Sequence, residues 1–256
     1  MSDVVLKSLD AGVLRLTLNR PEKKNAITQA MYQALAEAME EAALDSAVRA
    51  VLFLGAGDSF CAGNDIGDFI AIASGGTAPA EMSVFRFLKA MAEFDKPVVA
   101  GVRGRAVGIG VTLLLHCDMV VVADDALLSV PFVNLALAPE AASSILLSAV
   151  IGHQRAFEMF ALGEPITGDH AFAWGLANRA VASADVEAEA QRLAGALASR
   201  APGSLRATKR LMRDAAALWA KMQSEGEAFG AQMLSAEAME AFTAFAQKRA
   251  PDFSRS

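Results

Sequence analysis

The sequence predicts an α/β protein that becomes all-helical towards its end. Three observations carry this reading. Short apolar runs alternate with amphipathic segments through the first two-thirds. Glycines or an Asp-Ala-Gly turn bound those runs, as they bound strands. From about residue 143 the pattern is mostly helical.

In chain order, "VVLKSLDAGVLRLTLN" reads as two alternating strands around Asp-Ala-Gly, and "TQAMYQALAEAMEEAALD" as a helix with Thr28 at its N-cap. "RAVLFLGAG" is a buried strand ending in glycines, and "GDSFCAGNDIGDFI" a loop leading into a helix. Residues 74–80, "SGGTAPA", have the most flexible composition. "VFRFLKAMAEFD" predicts a helix, "KPVVAGV" a strand, and "GRAVGIGVTLLLHCD" a Gly-rich turn feeding a helix. "MVVVAD" and "ALLSV" predict strands. Ala201-Pro202-Gly203 breaks the later helices, which suggests a core over 1–200 and a helical region over 201–256.

Of the 256 residues, 54% are hydrophobic and 20% charged, enough for a sizeable core. A net charge of −6 without a basic run argues against nucleic acid as a partner. Cys61 and Cys117 show no metal or disulfide spacing, so no metal is expected. "MSDVVLKSLD" does not read as a signal peptide, and "DFSRS" is not a peroxisomal address. His116 and Asp118 interrupt "VTLLLHCDMVVVA", which is too short to span a bilayer. These points suggest a cytoplasmic protein without a membrane partner.

Glu140 is the only charged residue between Asp125 and Arg155, amid Val, Phe, Leu, Ala and Pro. A carboxylate there is costly to bury unless it is paired, protonated or used. The alternative is a water-exposed glutamate at a helix N-terminus, which "PEAASS" also suits.

"FCAGNDI" (60–66) and "GRAVGIGV" (104–111) each follow an apolar strand and precede a helix. Such turns point free N–H groups outward, and Ala62, Gly63, Gly108 and Gly110 are small enough for close approach. Two such loops side by side could hold one developing oxyanion, at roughly 3–4 kcal/mol per donor. Ordinary turn chemistry explains the glycines equally well.

Together with "LNRPEKKNAIT", "KPVVAGVRGRAVGIGVTLLLHCD", "PFVNLALAPEAASS", "LGEPITGDHAFAWGLAN" and "AFAQKRAPDF", these loops resemble the crotonase superfamily, the enoyl-CoA hydratase/isomerase family. The resemblance covers nearly the whole chain in order. It implies a ClpP-like spiral of ββα repeats, a C-terminal helical trimerisation region, and an acyl-CoA thioester substrate. It further implies a homotrimer or dimer of trimers, no separate cofactor, and an oxyanion hole formed by the Ala62 and Ile109 N–H groups. Ile109 stands where many relatives have Gly.

The resemblance also sorts the members. The two glutamates of hydratases fall on Thr112 and Phe132, which cannot act as general bases. "GNDI" and Pro-Phe-x-x-Leu-x-x-x-x-Glu look like the Δ3,Δ2-enoyl-CoA isomerase branch, where one glutamate, here Glu140, moves the proton. Desolvation should raise its pKa. The expected role is in β-oxidation of unsaturated fatty acids or a similar route. The rivals are hydratase or other crotonase lyase or hydrolase chemistry, and a non-catalytic acyl-CoA-binding relative.

By the same resemblance, Ala62, Gly63, Asn64, Asp65 and Ile66 contact CoA with their backbone, and Gly108 and Phe132 border the substrate. Asp65 could instead cap the next helix. Lys24 (beside Lys23) and Ala26 lie in a loop that runs along CoA in relatives. Phe245 and Lys248 reach towards a neighbour's CoA, or are a packing Phe and a surface Lys. His116, next to Cys117, reads as a satisfied structural histidine. Ser143 and Ser144 belong near a helix start. Met31, Met39, Met82, Met91, Met212, Met222, Met233 and Met239 read as adaptable packing, some of it lining an acyl pocket.

Overall fold

The structure, a computed structural model, describes residues 4–65, 67–68 and 83–255. Ile66, residues 74–80 and Met82 lie outside the described residues. Strands β1 (Val5–Asp10) and β2 (Val13–Leu18) form the expected hairpin. Ala11 and Gly12 turn it at φ 46° and 80°, the mirror-image geometry that suits two-residue hairpins. Helix α1 (Gln29–Leu44) begins where Thr28 accepts the Met31 N–H at 3.3 Å. Strands β3 (Ala50–Gly55) and β4 (Val98–Val102) are buried at every position, so they read as continuous apolar runs. Helix α2 (Ser83–Glu93) lies between them in sequence and packs Phe87 near Tyr32 and Phe53, with ring centroids 5.9 and 6.4 Å apart.

After β4 come β5 (Arg105–Val107), the short helix α3 (Ile109–Thr112), a 3-10 turn to His116, and strands β6 (Met119–Ala123) and β7 (Leu127–Ser129). Strands β8 (Ile166–Thr167) and β9 (Arg179–Val181) follow later. A six-stranded sheet runs β1-β2-β3-β4-β6-β9, antiparallel only at β1–β2. A smaller sheet runs β5-β7-β8. Strands β4 and β6 each pass to a short strand of the small sheet and then to helix, the ββα alternation expected of a crotonase spiral.

Sequence reading and structure differ at the short strands. Arg105–Val107 was expected in a turn, and β8 and β9 fall in the segment read as helical. Two or three residues are too few to display a two-residue period.

The remaining helices are α4 (Ser143–Ile151), α5 (His153–Leu162), α6 (Gly168–Ala173), α7 (Val186–Ala198), α8 (Pro202–Met212), α9 (Ala215–Met233) and α10 (Ala236–Ala246). Pro202 opens α8, as the expected break requires. The region after residue 201 is tied to the core. The Lys209 ammonium bonds Asp118 at 2.7 Å and the Lys96 carbonyl at 2.9 Å. Helix α9 returns over α2, where a Cβ at Gly226 would meet the Phe85 ring at 2.8 Å. Among the described residues, no helix is long and apolar enough to cross a membrane.

Candidate active site

Three backbone segments are stitched side by side. The Cys61 N–H donates to the Arg105 carbonyl at 3.0 Å, and the Val107 N–H to the Cys61 carbonyl at 2.9 Å. On the other side, the Ile27 N–H donates to Gly63 and the Asp65 N–H to Ile27, at 2.8 and 2.9 Å. This parallel pairing brings the two candidate oxyanion loops together. Gly110 permits the approach, since a Cβ there would meet the Cys61 carbonyl oxygen at 2.7 Å. Gly108 sits at φ 54°, ψ −118°, a conformation that suits glycine, and a Cβ on it would face open space.

That space is a cavity lined by Ala62, Gly63, Gly108, Ile109, Phe132 and Phe245, among others. A second cavity holds Glu140 and is walled by Tyr32, Leu88, Met222, Phe229 and Met233. Asn64 and Phe229 line both. The first cavity forms a mouth over the two loops, and the second, an apolar channel between α1, α2 and α9, adjoins it at Asn64 and Phe229.

The Ile109 N–H is at the first position of α3, a donor with no intrahelical acceptor. Ala62 corrects the expectation of a second unengaged donor. Its N–H is given to the Lys24 carbonyl at 2.9 Å. The cause is the turn before α1, where Lys24 and Asn25 both take positive φ (48° and 57°) and carry that carbonyl over Ala62.

Glu140 is only 9% exposed, which rules out the solvated alternative. Its carboxylate accepts from the Thr112 hydroxyl at 2.6 Å. Burial pushes its pKa up to about 7, opposed by the Thr112 bond and aided by the carboxylate of Glu225. Thr112, in one of the two positions where the resemblance would put a hydratase glutamate, therefore touches Glu140. Phe132, in the other, is buried against Phe160 with ring centroids 6.1 Å apart.

The turn that carries Glu140 is unusual. Ala141 and Ala142 both adopt positive φ (60° and 57°), and the Ser143 N–H donates to the Glu140 carbonyl at 3.0 Å. Left-handed backbone costs a non-glycine residue roughly 1–2 kcal/mol. Helix α4 then starts at Ser143 with no side-chain cap from its own N-cap residue. Glu225 of α9 substitutes, accepting from the Ser144 N–H at 3.1 Å and its hydroxyl at 2.5 Å. Its other oxygen, like the Ser143 hydroxyl, is buried without a hydrogen-bond partner.

Other expected residues separate into two groups. Asn64 accepts from the Tyr32 hydroxyl at 2.5 Å, where the two cavities meet. Asp65 accepts from the Gly67 N–H at 3.0 Å and also pairs with Arg20 at 3.0 Å. The Ala26 carbonyl takes the Arg20 guanidinium at 2.7 Å, and Lys24 pairs with Asp58 at 3.3 Å. Neither Lys24 nor Ala26 lines the two cavities. Lys248 is exposed and also outside the lining, where Arg249 stands instead, paired with Glu240. Met222 and Met233 line the channel; Met31, Met39 and Met91 are core; Met212 and Met239 are exposed.

Sequence reasoning missed Tyr32, Arg20 and Glu225. Tyr32 is the chain's single tyrosine, a polar tip on the apolar face of α1, and that signal was available. Nothing in the α9 sequence sets Glu225 apart from Glu227. Among the described residues, no three His, Cys, Asp or Glu side chains gather as a metal site.

The enoyl-CoA hydratase/isomerase family profile matches residues 8–256. Enoyl-CoA delta isomerase 2 of Rattus norvegicus is 36% identical over 251 residues, which is 96% of this chain but only 64% of that protein. The 1,2-epoxyphenylacetyl-CoA isomerase of Escherichia coli is 33% identical over 259 residues, 99% of each chain. The crystal structure of an enoyl-CoA hydratase/isomerase from Pseudoalteromonas atlantica superposes with a TM-score of 0.92 at 41% identity, over 98% of this chain and 100% of that one.

Two outcomes follow from this geometry. Gly110→Ala should lower stability by about 1–3 kcal/mol, because the new methyl group would meet the Cys61 carbonyl oxygen at 2.7 Å and the Cys61 Cβ at 2.9 Å; a chemical denaturation midpoint reads it. Glu140→Gln should be more stable than wild type above pH 7, by up to about 3 kcal/mol. A raised folded pKa stabilises the protein at low pH and loses that stability as pH rises towards 7. The gap should therefore close as pH falls towards 4.5, the ordinary value, in melts recorded across that range.

Proposed function

The chain belongs to the enoyl-CoA hydratase/isomerase family, and on that premise we propose that it moves the double bond of a 3-enoyl-CoA to give trans-2-enoyl-CoA. The single observation that carries this reading is Glu140: a buried carboxylate that pairs with no cation among the described residues, its pKa pushed up to about 7, in an apolar channel beside the mouth. Such a group can take a proton and return it at neutral pH.

In this reading the thioester lies in the mouth and the acyl chain enters the channel. Glu140 removes a proton from C2. The C–H electron pair becomes the π component of a C1=C2 double bond and the carbonyl π pair moves onto the thioester oxygen, giving a dienolate with its negative charge there. The Ile109 N–H receives that oxygen, and the Ala62 N–H turns to it from the Lys24 carbonyl. The protonated Glu140 then gives its proton to C4. The C3–C4 π electrons form that bond, the enolate electrons become the C2–C3 double bond, and the carbonyl is restored. One carboxyl group serves both steps, consistent with Thr112 and Phe132 in place of further acids. Thr112 holds the carboxylate by one bond without neutralising it.

We further propose a cytoplasmic homotrimer or dimer of trimers, without a separate cofactor, acting in unsaturated fatty-acid breakdown. Hydratase activity, suggested by the family name, is disfavoured because, among the described residues, Glu140 is the one carboxylate lining its cavity and no histidine joins it.

The test is conversion of 3-hexenoyl-CoA to the conjugated thioester, followed by ultraviolet absorbance. Wild type should turn over, with kcat/KM rising as pH increases through about 7 because the carboxylate is the active base. Glu140→Ala should lose roughly a thousandfold while still binding acyl-CoA. Hydration of crotonyl-CoA matching the isomerisation rate, or an active Glu140→Ala, would refute the assignment. Gly230 lines the channel, and a Cβ on it meets nothing within 4 Å. Gly230→Leu should therefore cut kcat/KM for long 3-enoyl chains at least tenfold and leave the six-carbon substrate within about twofold, as read by a chain-length series.

A further inference from the structure

Glu140 is aimed by a turn of two left-handed alanines, and such strain persists only where the surroundings over-determine it. One side chain grips that turn from below. His116 is 0% exposed, and its Nε2 lies 2.8 Å from the Ala141 carbonyl oxygen. Arg213, at the end of α8, donates to the His116 carbonyl at 3.0 Å and places its guanidinium against Nδ1. A guanidinium can only donate, so Nδ1 accepts and Nε2 carries the hydrogen given to Ala141. Burial, then the Arg213 charge, push the His116 pKa down to about 3, so this pattern does not change at neutral pH.

We propose that His116, backed by Arg213, is a positioning residue that holds the Glu140–Ser143 turn in its left-handed form and so points the Glu140 carboxyl into the channel. The proposal rests on Glu140 being the proton-moving group. The same short segment, 109–116, then supplies the Ile109 N–H, the Thr112 hydroxyl on Glu140 and the His116 grip. It sets the spacing between the oxyanion donor and the base.

The test compares His116→Leu, His116→Gln, and His116→Leu combined with Ala141→Gly and Ala142→Gly. His116→Leu should lower kcat at least tenfold with KM within twofold. His116→Gln, which keeps an N–H donor, should lose less. The glycine pair should recover threefold or more of the Leu loss, because glycine adopts the turn without support. A residue that merely fills space would not be rescued by glycines on its neighbour's turn. A folded His116→Leu variant with wild-type kcat overturns the proposal, as does a glycine pair that restores neither activity nor folding.

A second readout is independent of turnover. Infrared titration of the Glu140 carboxyl, assigned by difference from Glu140→Gln, should move towards the ordinary carboxylate range in His116→Leu and back in the triple variant. Besides Thr112, the groups acting on or near that carboxyl are Glu225 of α9, Tyr32 of α1 and Cys61, and all are retained in every variant. A titration that His116→Leu leaves unmoved overturns the clamp. Wild type inactive on 3-enoyl thioesters would instead overturn the functional reading, with the titration still deciding the clamp.

Discussion

A carboxylate kept in an apolar wall with a hydroxyl as its hydrogen-bond partner is the constraint around which this molecule is built. Among the described residues no cation pairs with Glu140, so the structure must hold it in place by geometry. The supports come from distant parts of the chain. Thr112 belongs to the segment after β5, Ala141 is gripped by that same segment, and the following helix is capped by Glu225 of α9. A buried charge of this kind is costly, and the raised pKa is the measure of that cost. Sites that move protons store free energy in this way.

The C-terminal helices are part of this arrangement. Residues 201–256 read in sequence as a separate helical region, and α8 does begin at Pro202. Yet Met222, Phe229 and Met233 wall the channel, Glu225 caps α4, and Arg213 backs His116. Ion pairs such as Lys209 with Asp118 and Arg206 with Asp95 fix α8 against the sheet and so set the path of α9. A break in secondary structure at Ala201-Pro202-Gly203 marks an element boundary, and the contacts across it make one site.

Much of this was legible in the sequence. The hairpin, the capped α1, the buried strands β3, β4 and β6 and the helical end all follow from local pattern. Glu140 stood out because it was alone among apolar residues, and burial is what its isolation meant. Strands β5, β8 and β9 were not legible, being shorter than the period that would reveal them. Tyr32 carried a readable signal as the chain's single tyrosine, but Glu225 and Arg213 were missed for another reason. Their roles depend on partners far away in sequence, as with Ser144 and Glu225, 81 positions apart. That the Ala62 N–H is engaged at rest was not legible, because the Lys24 carbonyl arrives through left-handed backbone that residue types there do not announce.

The engagement of Ala62 by Lys24 has a selective effect on the proposed chemistry. An amide oxygen is a stronger acceptor than the neutral oxygen of a thioester, so a resting substrate gains little by competing for that hydrogen. An enolate oxygen outcompetes both. Under the proposed chemistry the loop would act as a charge discriminator, withholding one donor from the ground state and yielding it as the oxyanion develops, which is the condition under which a contact accelerates a reaction and does not merely tighten binding.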